Sequence, residues 1–197
     1  AFYPSTGGHF EAEGAFRALC EVCDAHCAEL RDAAATLRVQ TNEVQRSAVL
    51  VPGFLRVAAR TGLPLRIREI GSSAGLNLFF DRHRYELGLH RFGDAASPLV
   101  LAARWNGAPP DLEATLRVAS RRGCDVAPLD VRDPAHRLRL ESFVWPEQLD
   151  RLARLRAALA VAMREPPAID AEPAGAWLET QLGERAEGVA TVLFHSV

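Results

Sequence analysis

From about Glu11 to Leu37 apolar positions recur at helical spacing. Phe16, Leu19, Cys20, Cys23, Cys27 and Leu30 fall on one face, and alanines fill much of the remainder. This predicts one amphipathic helix with its stripe packed into the core. Thr41 or Asn42 is placed to cap a second helix running toward Arg60, which Pro52 should kink or split and Thr61-Gly62-Leu63-Pro64 should stop. The period then falls to two. Leu65 to Ile70 alternates as a strand and leads into Glu69-Ile70-Gly71-Ser72-Ser73-Ala74-Gly75, followed by a short helix from Ala74 to about Asp81. The next stretch has hairpin character: Leu99–Trp105 and Leu112–Ala119 would pair across an Asn106-Gly107 turn. Asp125 to Leu129 sits at the mouth of a further strand or turn.

Asp133 is placed to cap a helical region through Val144. Pro146 suits the first turn of another helix, continuing to Met163 with Leu149, Leu152, Leu155 and Leu159 inward. Ala174 to Leu182 reads as a short helix around Trp177, and Trp145 as a core residue. Gly188 opens the apolar run Val189 to Phe194, which predicts a strand buried on both faces of a parallel sheet. The chain as a whole thus reads as α/β: an N-terminal helical segment over 1–64, then a Rossmann-like core over 65–197 with a mostly parallel sheet and a β-hairpin insertion at about 84–119. Because it starts without methionine and stops directly after its most apolar strand, C-terminal strands are expected to be missing.

Composition narrows the chemistry. The 197 residues carry a net charge of -2, which gives no general attraction to nucleic acid or to anionic membranes. No apolar run approaches the roughly 20 residues of a membrane span, and no signal peptide pattern is present, so the cytoplasm is the expected location. All 23 basic residues are arginine. Without lysine there is no P-loop, no pyridoxal Schiff base and no Tyr-x-x-x-Lys pair of the short-chain dehydrogenase kind. Cys20, Cys23 and Cys27 share the apolar helical stripe, so packing rather than metal binding is expected of them, and no metal site is predicted.

A strand, a glycine turn and a helix in succession aim backbone N–H groups at an anionic or polar ligand. Gly71 would allow the tight turn and Gly75 a close approach, while Glu69 could accept hydrogen bonds from a ligand amine or hydroxyl. The same letters also spell Gly-x-Ser-x-Gly, with Asp130 and His195 following in the order of an α/β-hydrolase triad, Ser73 as nucleophile and His195 as base. Such enzymes place several strands before the elbow, whereas here about sixty residues read as helix. Gln40, Asn42, Glu43 and Arg46 crowd hydrogen-bonding groups at a helix start, either as an ordinary cap or as a lid over the ligand. For Asp125 and Asp130 turn chemistry beside Pro128 competes with ligand binding, and His195 reads as a structural histidine or a base.

The runs Gln40-Thr41-Asn42-Glu43-Val44-Gln45-Arg46 and Glu69 to Leu78, together with Arg122-Gly123-Cys124-Asp125-Val126-Ala127-Pro128-Leu129-Asp130, Val144-Trp145-Pro146-Glu147-Gln148 and Phe194-His195-Ser196-Val197, resemble the bacterial uncharacterised family known as domain of unknown function 2332. The resemblance implies a fold like that of class I S-adenosylmethionine-dependent methyltransferases and members that continue past the His-Ser strand. On that pattern Gly71, Ser72, Ser73, Gly75 and Asn77 would line the methionine and ribose part of S-adenosylmethionine. Asp125 would hold the ribose hydroxyls, and Asp170 or Glu172 would lie near adenine. Members carry an Asp shortly before the Trp of the motif seen here as Trp177-Leu178, where this chain has Glu172-Pro173. His195, with Ser196, would stand where cofactor and an unknown small-molecule acceptor meet, as general base. A non-catalytic ligand-binding member of the fold is the remaining alternative.

Overall fold

The computed structural model describes residues 1–108, 111–183 and 186–196. Val197 of the His-Ser motif and positions 109–110 of the expected hairpin lie outside them. The chain forms α1 (Ala12–Ala25), α2 (Cys27–Thr36), α3 (Ser47–Thr61), β1 (Leu65–Ile70), β2 (Arg84–Leu87), β3 (His90–Gly93), β4 (Val100–Ala103), β5 (Val118–Asp125), α4 (Pro134–Ser142), α5 (Leu149–Ala162), β6 (Ile169–Ala171), α6 (Ala174–Gly183) and β7 (Ala190–His195). Two sheets result. The larger has four parallel strands in the order β6-β5-β1-β7, and the smaller has three in the order β3-β2-β4. In chain order the parallel strands lie third, second, first, fourth. The connections run outward from β1 through β5 to β6 and then return to its other side.

The core forms where α3, α5 and the 3₁₀ turn Leu76–Arg82 meet the sheet. Phe54 of α3 lies 4.1 Å from the Phe80 ring and 5.2 Å from that of Phe194 on β7, with Leu65 and Ile67 of β1 fully buried. Alternate residues of a strand face opposite sides, so Arg66 and Arg68 occupy the other face. There the Arg68 guanidinium donates to Gln181 of α6, to the Ser120 hydroxyl and to the Ile67 carbonyl. Trp177 of α6 is buried, and its indole donates to Asp170 of β6 at 2.7 Å.

Local signals fix several boundaries. Gly62 ends α3 in the left-handed conformation with its N–H on the Ala58 carbonyl. The Asp133 carboxylate caps α4 through Ala135 N–H. Helix α3 runs on through Pro52 rather than splitting there. Its preceding 3₁₀ turn is capped by the Glu43 carboxylate on Gln45 N–H, not by Thr41 or Asn42, because the Asn42 carboxamide is drawn off to Leu76 N–H. Helix α5 begins at Leu149, three residues beyond Pro146, with Leu155 and Leu159 buried and Leu149 half exposed. Trp145, in the turn before α5, is exposed rather than core. The short helix expected after the glycine turn is a 3₁₀ helix.

Three larger expectations are corrected. The N-terminal helix is broken at His26 into α1 and α2, and its stripe is not core: Phe16, Leu19, Val22 and Leu30 are exposed, as are Cys20, Cys23 and Cys27. The reason is competition, since α3 already covers the sheet and the principal partner of α1 is α2. The hairpin is Arg84–Gly93, closing over Gly88-Leu89. Leu99–Ala103 does not pair across Asn106-Gly107, because β4 joins β2 in parallel and Val118–Asp125 is the second strand of the main sheet. Finally, β7 buries one face only. Phe194 packs on Phe54, while Leu193 on the opposite face is 41% exposed, because α6 packs over β5.

Candidate functional site

Strand β1 ends where the connections reverse, with β5 on one side and β7 on the other. In open parallel sheets this switch point leaves a crevice beyond the carboxyl ends of the strands. The turn that follows β1 is bent by three left-handed residues, Gly71, Ser73 and Gly75. Glycine tolerates that conformation freely, but serine does so only where surrounding bonds enforce it. Here Asp125, at the tip of β5, enforces it by accepting the Ser73 N–H at 2.8 Å, and the Ser73 carbonyl in turn accepts Leu129 N–H. Ser72 donates its hydroxyl to the Cys124 carbonyl and occupies the space that any side chain at Gly123 would need.

Glu69 is the most perturbed group in this region. It is fully buried, and desolvation pushes its carboxyl up to about 8, opposed by a Ser196 hydrogen bond and reinforced by the charge of Asp125. Oε1 accepts the Ser196 hydroxyl at 3.2 Å, while Oε2 has no partner. Ser196 accepts from the Asn77 carboxamide at 3.2 Å, and Asn77 accepts the Ser47 hydroxyl at 2.7 Å. Glu69, Ser196, Asn77 and Ser47 therefore form one chain of hydrogen bonds across the switch point. Ser196 was expected beside His195 where cofactor and acceptor would meet, but not as a partner of Glu69; Ser47 had no place in the expected site, and its only sequence signal was a polar letter at the start of a helix.

The segment before α3 lies over this edge. The Gln40 amide donates to Asp125 Oδ1 at 3.1 Å and to the Ala127 carbonyl at 2.9 Å, and Asn42 accepts Leu76 N–H at 3.0 Å. The Glu43 carbonyl accepts from Asn77, its carboxylate pairs with Arg151 at 2.6 Å, and Arg46 donates to the Ser196 carbonyl. Gln40, Asn42, Glu43, Arg46, Glu69, Ser72, Ser73, Gly75, Asn77 and Asp125 thus converge. Among the described residues, three of the seven unpartnered buried polar side-chain atoms belong to this cluster: Gln40 Oε1, Glu69 Oε2 and Ser73 Oγ. Native proteins leave few such atoms unsatisfied, so their concentration marks the place where an external partner is wanted.

Other expected residues stand apart. Asp170 is held below the usual carboxylate range by a two-pronged bond to Arg122, both contacts at 2.6 Å, and by Trp177. Glu172 is exposed at the end of β6. Asp130 is engaged by Arg132, and His195 is exposed with no side-chain hydrogen bond among the described residues, so no Ser73–His195–Asp130 relay is assembled. Asp130 instead borders a cavity of ≈ 170 Å³ between the β5 and β6 ends, walled by Pro128, Leu129, Val131, Pro167 and Ile169.

No curated protein and no solved structure matches this chain. A family described as "Uncharacterized protein conserved in bacteria (DUF2332)" matches residues 1–197. The chain, with its buried acid and glycine turn at the switch point of a four-stranded parallel sheet, belongs to that bacterial family.

Proposed function

We propose that the protein binds S-adenosylmethionine at the carboxyl edge of its parallel sheet and transfers the methyl group to a small-molecule acceptor. The observation that carries this reading is the juxtaposition of a buried, half-satisfied Glu69 near the end of the first core strand with Asp125 at the tip of the second, in a sheet ordered third-second-first-fourth. That order is the first part of the Rossmann arrangement, in which a nucleotide lies across the glycine turn. The residues suit the cofactor: Glu69 Oε2 is free to accept from an ammonium, and Asp125 can accept from ribose hydroxyls. The proline-walled cavity beyond Asp125 suits a flat base. Asp130, at the rim of that cavity, is then better placed than Asp170 or Glu172 to meet the adenine amine.

Bound there, the cofactor supplies an electrophilic methyl group on a sulfonium whose departing sulfur keeps the bonding pair. The protein's part is alignment and exclusion of water. Glu69 would lose its proton on meeting a cationic amine, which restores the charge that burial removes. His195, at the end of β7, is available to take a proton from an acceptor.

Calorimetric titration with S-adenosylhomocysteine tests the reading. The folded wild-type protein should bind, and Asp125→Ala should weaken binding by at least about tenfold, the order expected for losing charge-assisted bonds. No heat from the folded wild-type protein would overturn it. One observation favours a serine hydrolase instead: Ser73 has the left-handed backbone (φ 52°) of a strained elbow. Covalent labelling by a fluorophosphonate, abolished in Ser73→Ala, would decide for that alternative.

A further inference from the structure

Glu69 Oε2, Ser73 Oγ and Gln40 Oε1 are shut off from solvent and yet have no partner within the chain. Groups that want a ligand are therefore closed off from it, and the stretch from Leu37 to Arg46 is bonded down on the same edge of the sheet. Gln40 holds that stretch down in a particular way. One amide nitrogen gives its two hydrogens to Asp125 Oδ1 and to the Ala127 carbonyl. A side-chain amide thus supplies to Asp125 a donor of the kind a hydroxyl group of a nucleoside would supply. Among the described residues, none of the stretch's other bonds reaches Asp125: Asn42 accepts Leu76 N–H, Glu43 accepts from Asn77 and pairs with Arg151, Gln45 donates to the Ala102 carbonyl, Arg46 to the Ser196 carbonyl, and Arg139 donates to the Arg38 carbonyl.

We propose that Leu37–Arg46 is a lid latched shut by Gln40, whose amide occupies Asp125 in place of ligand hydroxyls and must leave before ligand enters. This rests on the reading of Asp125 as a ligand-binding acid. A lid that is mostly closed lowers apparent affinity by the fraction of time it is open. Ligands able to donate hydrogen bonds to Asp125 compensate for the lost Gln40 contact, and ligands without such donors do not. The latch therefore selects for hydroxyl-bearing ligands.

Two measurements on the intact protein decide this. In hydrogen exchange without ligand, Gln40→Ala should speed exchange of the amides over 37–46 and of Ser73 by about tenfold, leaving the β1 and β5 ladders unchanged. Gln40→Glu, which sets a second carboxylate against Asp125, should do so more strongly. Unchanged exchange in both variants would overturn the latch whatever the ligand is. In titration with S-adenosylhomocysteine, Gln40→Ala should bind more tightly and associate about tenfold faster than wild type. Weaker binding by Gln40→Ala would mean that Gln40 grips the ligand directly, and the latch would be wrong. If wild type and variants alike fail to bind while lid exchange still responds, the cofactor reading falls and the latch alone survives.

Discussion

Glu69 keeps its proton at neutral pH because ionising it would leave a charge in a space with one hydroxyl for company. The sign of its effect on stability follows. A carboxyl raised to about 8 in the folded protein, against 4.5 for the free group, contributes fully below pH 4.5, and the contribution is lost as pH rises toward 8. Glu69→Gln keeps the shape and cannot ionise. Its thermal midpoint should match wild type near pH 4.5 and exceed it increasingly up to pH 8, by an amount worth a few kcal/mol. Equal pH profiles for the two proteins would show that Glu69 is ionised in the native state. His83 works in the opposite direction. It is buried without a well-formed hydrogen bond at either ring nitrogen, and desolvation lowers it to about 4. Its contribution is complete above pH 6.5 and is lost as pH falls to 4, so His83→Leu should flatten the acid limb of an unfolding profile taken over that range. Glu69 was legible from the sequence because it stands near the end of an alternating strand that leads into a glycine turn, and Asp125 through the family resemblance, since the strand it ends was read as Leu112–Ala119. The bond of Ser196 to Glu69 and the part played by Ser47 were not, because these partners lie 127 residues from Glu69 and 30 from Asn77, and only folding brings them near.

At the scale of elements, the hairpin shows how a strong local signal can mislead. Asn-Gly is a favoured two-residue turn, yet Asn106-Gly107 joins no ladder, because each neighbouring strand has a distant partner. Val100–Ala103 lies along Arg84–Leu87, and Val118–Asp125 along β1. Pairing between distant segments leaves no mark on the residues between them. The actual hairpin ends on Gly93, which is left-handed (φ 89°), and a Cβ there would come within 2.1 Å of the His83 carbonyl. Gly93→Ala should therefore lower stability by about 1–3 kcal/mol, read as a shift of the urea midpoint. Gly123→Ala should do the same in the main sheet, since its Cβ would lie 2.3 Å from Ser72 Oγ. An unchanged midpoint in either would mean that the close approach does not persist in solution. Helix boundaries were read more closely, because caps such as Asp133 and stops such as Gly62 act within one turn.

For the whole molecule, the apolar stripe of α1 sets a limit on what periodicity can tell. A period of 3.6 shows that one face is apolar, but it does not show what covers that face. Phe16 is 68% exposed, whereas Phe79 is fully buried beneath two arginines. Phe16→Ser should therefore change stability by less than about 0.5 kcal/mol, while Phe79→Ala should cost about 3–5 kcal/mol. A large loss from Phe16→Ser in chemical denaturation would show that the stripe is covered in solution. The parallel sheet itself was expected, since an apolar strand before a glycine turn and another at the far end of the chain imply crossover connections. What remained hidden was that Val118–Asp125 is the strand on the other side of β1, which makes β1 the hinge of the topology.

That central position has a consequence for how the chain is made. Strand β1 is complete at residue 70, but its neighbour on one side ends at Asp125 and the one on the other begins at Ala190. A ribosome adding about 5–20 residues per second leaves one edge of β1 without its native neighbour for roughly 6–24 s. An open, flat, apolar edge would invite pairing with other nascent chains. Two of the six residues of this strand are arginines, Arg66 and Arg68, buried in the finished protein but exposed and charged during that interval. These side chains, one of which (Arg68) later bonds α6 to the sheet through Gln181, thus guard the strand against the wrong partners while it waits for β7.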